Sequence, residues 1–443
     1  MNDQAASTDN QHFSNAITLL EELINSPAIA RELDRDGSAN AQQVYTNAAT
    51  IFALILQRLG GGLTLKQTVT RMIDQHSDLL RQDNRRVRQG TLSQNASAYD
   101  KARRTLPLQK IAAFCQLVCQ SLADQTDYRF EGRRIYIVDG TTLALPPTKE
   151  LAENFSPSKN QHGQSPWPIM SLLVAHEMDS SCCLVPEVGA MYGSKNTSEI
   201  KLFKTLIAER MPAGSIVMGD TGFGVFATAF HCQRHNHRFV LGLTAQRFRS
   251  HIRRAVCVDE GEGFRTYEYL WKPSSKERKT HDELPADAQM CVFIHQIDLV
   301  DEKTLYLVSD LQYDAATIAA LYRRRYDGEF DIRDVKVTMN TEHMRARSYD
   351  TIMKELYGSV IAYNLVVQFR REAARRRGVA PRRLSFSDTW LDFQVGVLGK
   401  SATDLSGWKL LYEAALERAS KRLLPDRRGK RTSPRVSYRK RPK

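Results

Sequence analysis

The chain has 443 residues, 42% apolar and 26% charged, which is enough for two or three domains with buried cores and excludes a mainly disordered protein. No stretch approaches the roughly 18 consecutive apolar residues of a membrane span, and the polar start MNDQAASTDNQ lacks the charged and apolar regions of a signal peptide, which predicts a cytoplasmic protein. The net charge of +13 is uneven: residues 417–443 hold twelve Lys/Arg against two acids, a net +10, so a near-neutral body carries a basic arm suited to phosphate backbones or to keeping the chain soluble.

Residues 15–122 repeat apolar positions at three- and four-residue steps in SNAITLLEELINSPAI, NAATIFALILQRL, LTLKQTVTRMIDQHSDLLRQ and PLQKIAAFCQLVCQSLADQ, which predicts an all-helical N-terminal domain over 1–125. Within it, TLSQNASAYDKARRTLP joins a polar start to a helix bearing Lys101, Arg103 and Arg104. That helix reads either as a DNA-reading helix or as an ordinary basic face. The period then changes. RRIYIVDGTTLALP, SPWPIMSLLVAHEM and SCCLVPEVGAMYG read as strands, followed by the helix NTSEIKLFKTLIAER, the strand GSIVMGDTGFG, the helix VFATAFHCQRHN and the strand RFVLGL. Three strands followed by helix, strand, helix, strand make a mixed α/β sheet over 130–243. Residues 244–310 are polar and β-leaning and read as a β-rich insertion. Long helices return at 315–340 and 348–377 within a segment 311–395, and 396–443 is a helical, basic C-terminus.

The seven cysteines are odd in number, scattered and without a CxxC pair, the pattern of reduced thiols rather than a zinc or disulfide framework. Among His231, His235 and His237, two have helical i, i+4 spacing, but no glutamate follows His231 as a zinc-protease motif requires. Two aspartates are more informative. Asp139 closes RRIYIV and Asp220 closes GSIVMG, each at the end of an apolar strand. Each fits a strand-end turn, and two such strands side by side would instead bring both carboxylates to one edge, where a hard cation such as Mg²⁺ takes oxygen ligands.

The stretch LYRRRYDGEFDIRDVK offers a third carboxylate among four: Asp327, Glu329, Asp331 and Asp334. On a straight helix advancing roughly 100° per residue, with Tyr322 at zero, Arg325, Glu329 and Lys336 fall at about −60°, −20° and −40°, and Arg333 at about +20°. Asp327, Asp331 and Asp334 fall at about 140°, 180° and 120°, which predicts a solvated face opposite the stripe. One acid among basic and phenolic donors suits a metal ligand beside bound phosphates.

The spacing Y-(2)-R-(3)-E-(6)-K of Tyr322, Arg325, Glu329 and Lys336 resembles the signature of the "insertion sequence four" family of DDE transposases. IVDGTTLALP, GDTGFG and NASAYDKARRTLP are similar to other segments of that family, over roughly residues 91–393. The resemblance implies an RNase H-like catalytic domain interrupted by a β-rich insertion, with Asp139, Asp220 and Glu329 holding two Mg²⁺ ions, for which Mn²⁺ can substitute. It implies cleavage of double-stranded DNA at terminal inverted repeats, transfer of the 3′-hydroxyl ends to target DNA, and a homodimer in the synaptic complex. Tyr322, Arg325 and Lys336, with Arg333, would hold phosphates, and Trp271 would either stack a flipped base or pack its own hairpin. Two other readings stay open, an RNase H-like nuclease that does not join DNA and a transposase-derived DNA-binding protein that has lost catalysis.

Overall fold

The computed structural model describes residues 43–125, 130–161, 163–299, 303–397 and 405–425. The expected helix at 14–29 and most of the basic arm lie outside the described residues.

The helical start forms α1 (Asn47–Leu59), α2 (Leu65–Gln75), α3 (Arg85–Arg88), α4 (Ser97–Thr105) and α5 (Leu108–Asp124). Thr46 caps α1, and Thr64 with Gln67 forms a capping box on α2, so polar side chains satisfy the first free N–H groups. These helices have no core to themselves. Ile51, Leu54, Phe114 and Val118 share one apolar cluster with Val360, Ile361, Val366 and Phe369 from the 29-residue helix of residues Tyr349–Arg377.

Ten strands among the described residues make one sheet: β1 (Ile135–Ala144), β2 (Pro157–Asn160), β3 (Gly163–Glu177), β4 (Glu187–Ala190), β5 (Ile216–Gly219), β6 (Arg238–Gly242), β7 (Val256–Gly261), β8 (Phe264–Trp271), β9 (Met290–Asp298) and β10 (Thr304–Ser309). The strands β4, β3 and β1 are antiparallel neighbours, and β5 and β6 follow on the other side of β1, parallel to it. The order β4-β3-β1-β5-β6 is RNase H-like. Helices α6 (Lys149–Asn154), α7 (Glu199–Glu209) and α8 (Phe226–Arg234) lie between these strands in sequence, with α9 (Ala245–Ile252) and α10 (Ser275–Thr280) farther on. The residues read as a β-rich insertion extend the same sheet, because β10 pairs antiparallel with β6 and then continues through β9 and β8 to β7.

Strand alternation sorts the two faces. Tyr136, Val138 and Val217 pack with Phe203, Leu206 and Phe226 of α7 and α8. Ile135, Ile137, Ile216 and Met218 pack with Ile318 and Leu321 of α11 (Ala315–Arg323). The expected single helix over 315–340 is instead three pieces. It breaks after α11, resumes as α12 (Tyr326–Arg333) and ends in a wide turn at Asp334–Thr338. Beyond it come α13 (Tyr349–Arg377), started by a Ser348 capping box and stopped at Gly378 with φ +71°, then α14 (Phe386–Val397) and α15 (Leu405–Ala419).

Candidate active site

Parallel pairing runs from Ile135↔Ile216 to Val138↔Gly219, so Asp139 and Asp220 are the next residues on adjacent strands. Alternation puts both on the face that packs against α11, because they continue the odd positions of β1 and the even positions of β5. Asp220 makes the local bond expected of a turn aspartate, its Oδ1 accepting from Gly222 N at 2.7 Å, whereas Asp139 does not end its strand but lies inside β1, paired with Val174, and its Oδ1 accepts from the adjacent Gly140 N at 2.9 Å. Burial pushes the Asp139 carboxyl above the usual range. The Gly140 N–H and the Arg325 guanidinium pull it back, and the charges of Asp220 and Glu329 push it further up.

Glu329 arrives on α12. Gly328 makes this approach possible, since a Cβ there would stand 2.7 Å from Ile137 Cγ2 on β1. The half-exposed Glu329 side chain accepts from Arg325 Nη2 at 2.9 Å, and Arg325 Nη1 lies 3.8 Å from Asp139 Oδ2. The guanidinium therefore connects the first and third carboxylates. Tyr322 is buried beside them, with its hydroxyl over Gly242 of β6, where a Cβ would meet it at 2.6 Å. Burial chiefly raises the Tyr322 phenol to about 12, so it remains a hydrogen-bond donor at neutral pH. Lys336 Nζ donates to Thr141 Oγ1 at 3.1 Å and Thr142 O at 2.9 Å, two and three residues beyond Asp139.

The four signature residues thus reach one edge of the sheet, but the face opposite them is not solvated. Asp331 is 1% exposed and gives both oxygens to Arg382, and Asp334 is buried as well. Only Asp327 is partly open, paired with Arg324 at 3.1 Å. The reason is that α12 and the turn after it are covered from behind by α13 and by Arg382, which a helical wheel cannot register. Arg333 is exposed and lies 5.1 Å over the Phe330 ring, with no contact to the carboxylates.

Three further expectations are corrected or narrowed. Arg103 is buried, 3.9 Å from Glu355 of α13, so it holds helices together and does not face DNA. Arg104 is exposed and pairs with Asp100 at 2.5 Å. Trp271 is 2% exposed with its ring set edgewise against Phe226 and His251, so it packs in the core. It floors a cavity of about 470 Å³ lined by Arg247, His251, Lys276 and Glu277.

Oxygen donors from three elements are the set a hard divalent cation takes. Among the described residues no three Asp, Glu, His or Cys side chains stand close enough to hold an ion as they are placed. Glu329 is turned to Arg325, whose guanidinium lies where positive charge is needed, and the half-exposed glutamate has room to turn back. The donor chemistry therefore fits a hard divalent cation. Sequence reasoning missed Gly328 and also Glu199, at the start of α7, whose carboxylate abuts Gly140. The glycine next to each signature acid was the only signal for either.

Comparison with known proteins places the chain in a family. Across 94% of this chain and 87% of the other, the structure is similar to a piggyBac transposase seen by cryo-EM in a synaptic complex with hairpin DNA, at a TM-score of 0.45 and 12% identity. Over 268 residues, 58% of this chain, the sequence is 21% identical to the transposase InsG of insertion sequence element IS4 from Escherichia coli (strain K12), and it spans 57% of that relative's length. The model of the transposase DDE domain matches residues 130–365, a range that contains Asp139, Asp220, Glu329 and the signature Tyr, Arg and Lys. With the aspartates side by side on an RNase H-like sheet and the glutamate helix laid against them, the chain belongs to the family of DDE transposases.

Proposed function

We propose that this protein is the transposase of an insertion sequence, binding terminal inverted repeats in double-stranded DNA, cleaving the element ends and transferring their 3′-hydroxyls to target DNA. The observation that carries this reading is the register Val138↔Gly219, which makes Asp139 and Asp220 neighbours on the face that Glu329 approaches. Asp139, Asp220 and Glu329, once Glu329 turns from Arg325, would hold two Mg²⁺ ions, with Mn²⁺ able to replace them. Bound there, the ions supply Lewis-acid stabilisation of the attacking and leaving oxygens in an in-line displacement.

The chain's own residues orient the DNA. Arg325 keeps Glu329 and Asp139 in line and offers its remaining N–H groups to a phosphate. The protonated Tyr322 hydroxyl and the Lys336 ammonium, tied to β1 just beyond Asp139, flank the same edge and hold the phosphate there. Exposed Arg333 and Arg104 serve the DNA backbone farther out. Synapsis of two ends requires two copies, so the working complex is a homodimer, acting in the cytoplasm. Among the described residues no helix is long and apolar enough to cross a membrane.

The test is an assay of the full chain with Mg²⁺, labelled terminal repeats and a plasmid target. Cut ends bearing 3′-hydroxyls and joined products are expected, and Glu329→Gln should remove both while end binding persists. Cleavage without joined product would make the protein a nuclease. Binding without cleavage by the parent chain would make it a DNA-binding derivative.

A further inference from the structure

Glu199 opens α7, on the face of the sheet opposite α12, with Ser198 capping the helix through a 3.3 Å bond from Lys201 N. Its carboxylate lies against Gly140, where any Cβ would collide with Oε1. Gly140 directly follows Asp139 and donates its N–H to the Asp139 carboxylate. The missing side chain therefore opens a path from Glu199 across the sheet edge, and Asp220 is near enough for its charge to act on Glu199.

The charges are distributed unevenly. Arg325 serves Asp139 and Glu329. Among the described residues no Lys, Arg or His forms an ion pair with Asp220 or Glu199. Two neighbouring carboxylates repel each other unless a cation lies near both. A glutamate in the first turn also favours the helix dipole, but that effect needs neither Gly140 nor Asp220.

We propose that Glu199 is a fourth acidic group of the metal site, a positioning residue that reaches over Gly140 to the divalent ion beside Asp220 and tightens its binding. This rests on the assignment of Asp139, Asp220 and Glu329 as metal ligands. Glu199 acts on the ion through the charge it adds and through water, and the triad remains the direct ligand set.

The experiment measures free Mn²⁺ by electron paramagnetic resonance as it is titrated into full-length protein, with cleavage followed separately against Mg²⁺ concentration. Glu199→Gln, exposed at a helix start, should melt with the parent and bind end DNA equally well. Its Mn²⁺ dissociation constant should rise about tenfold. The Mg²⁺ needed for half-maximal cleavage should rise in step, and saturating Mg²⁺ should restore the rate. Asp220→Asn is the control for the underlying assignment and should lose Mn²⁺ binding outright. If Asp220→Asn binds Mn²⁺ as the parent does, the triad assignment fails. If Asp220→Asn loses binding while Glu199→Gln titrates like the parent, the role of Glu199 is overturned.

Discussion

Asp331 gives both carboxylate oxygens to the guanidinium of Arg382, at 2.9 and 2.7 Å, across fifty-one positions of sequence. Arg382 Nε also donates to Met178 O at 2.7 Å, and Arg324 reaches Met178 O at 3.0 Å and Asp179 at 2.5 Å. Two guanidiniums thus pin the back of α12 to the turn that follows β3, which fixes the height of Glu329 above Asp139. Breaking a buried pair by removing one partner strands a charge and costs about 3–5 kcal/mol. Arg382→Ala should therefore lower the urea-unfolding free energy by about that amount, and Asp331→Asn should lose cleavage activity as well as stability. A parent-like unfolding curve for Arg382→Ala would contradict the clamp.

Gly328 lets α12 lie close against β1, and it directly precedes Glu329. With Ile137 Cγ2 only 2.7 Å from a built Cβ, Gly328→Ala must push the helix off the strand by several tenths of an ångström. A misplacement of about 1 Å costs on the order of 10²-fold in rate, so single-turnover cleavage by Gly328→Ala should fall at least about tenfold, with end binding retained. Ile137→Leu, which has no methyl on Cβ, should recover part of that loss in the double variant and would leave it unchanged if the contact were irrelevant.

The parts of this site legible in the sequence are those set by short-range pattern. Apolar runs leading to Asp139 and Asp220 announced two acid-bearing strands, although only Asp220 stands at a strand end and β1 continues past Asp139 to Ala144, and the spacing of Tyr322, Arg325, Glu329 and Lys336 placed them at one edge. The misreadings came from partners distant in sequence. A wheel drawn over residues 315–340 assumes one straight helix, whereas the chain breaks before Tyr326 and widens at Asp334–Thr338. The wheel sent Asp331 to solvent because the cation that neutralises it lies on another element. Arg103 was misread for the same reason, since the acid beside it, Glu355, belongs to α13. Charge on a helix face predicts exposure only where no opposite charge is folded against it.

Lys336 links the wide turn after α12 to β1 through two donated bonds, to Thr141 Oγ1 and Thr142 O. Hydrogen bonds from a charged donor are worth about 1.5–3 kcal/mol each. Lys336→Met should therefore slow cleavage by about 10- to 100-fold, while affinity for end DNA changes far less. Lys336→Arg should not restore the rate, because a planar guanidinium cannot place one nitrogen between a hydroxyl and a carbonyl as an ammonium does. Comparing single-turnover rates with filter-binding affinities separates the two effects, and equal losses in both would assign Lys336 to DNA binding alone.

Asp334 gives this region a pH-dependent weakness. Its carboxyl is raised to about 6, chiefly by burial. The Arg370 guanidinium opposes the rise, the Asp331 charge adds to it, and Arg333 and the Thr338 hydroxyl oppose it. In the unfolded chain the group returns to its ordinary value of 3.8. Between the two values the folded protein holds a proton that the unfolded chain has released, so folding is favoured at low pH. That contribution is complete below about 3.8 and is lost as pH rises through about 6. The gap between the two values corresponds to at most about 3 kcal/mol. Asp334→Asn keeps the neutral shape at every pH, and its Oδ1 can still accept from Thr338. The variant should therefore be more stable than the parent at pH 8, by up to about 3 kcal/mol, and equal to it near pH 4. Urea unfolding at the two pH values measures this directly, and a gap of the same size at both would show that burial of the ionised carboxylate is not its cause.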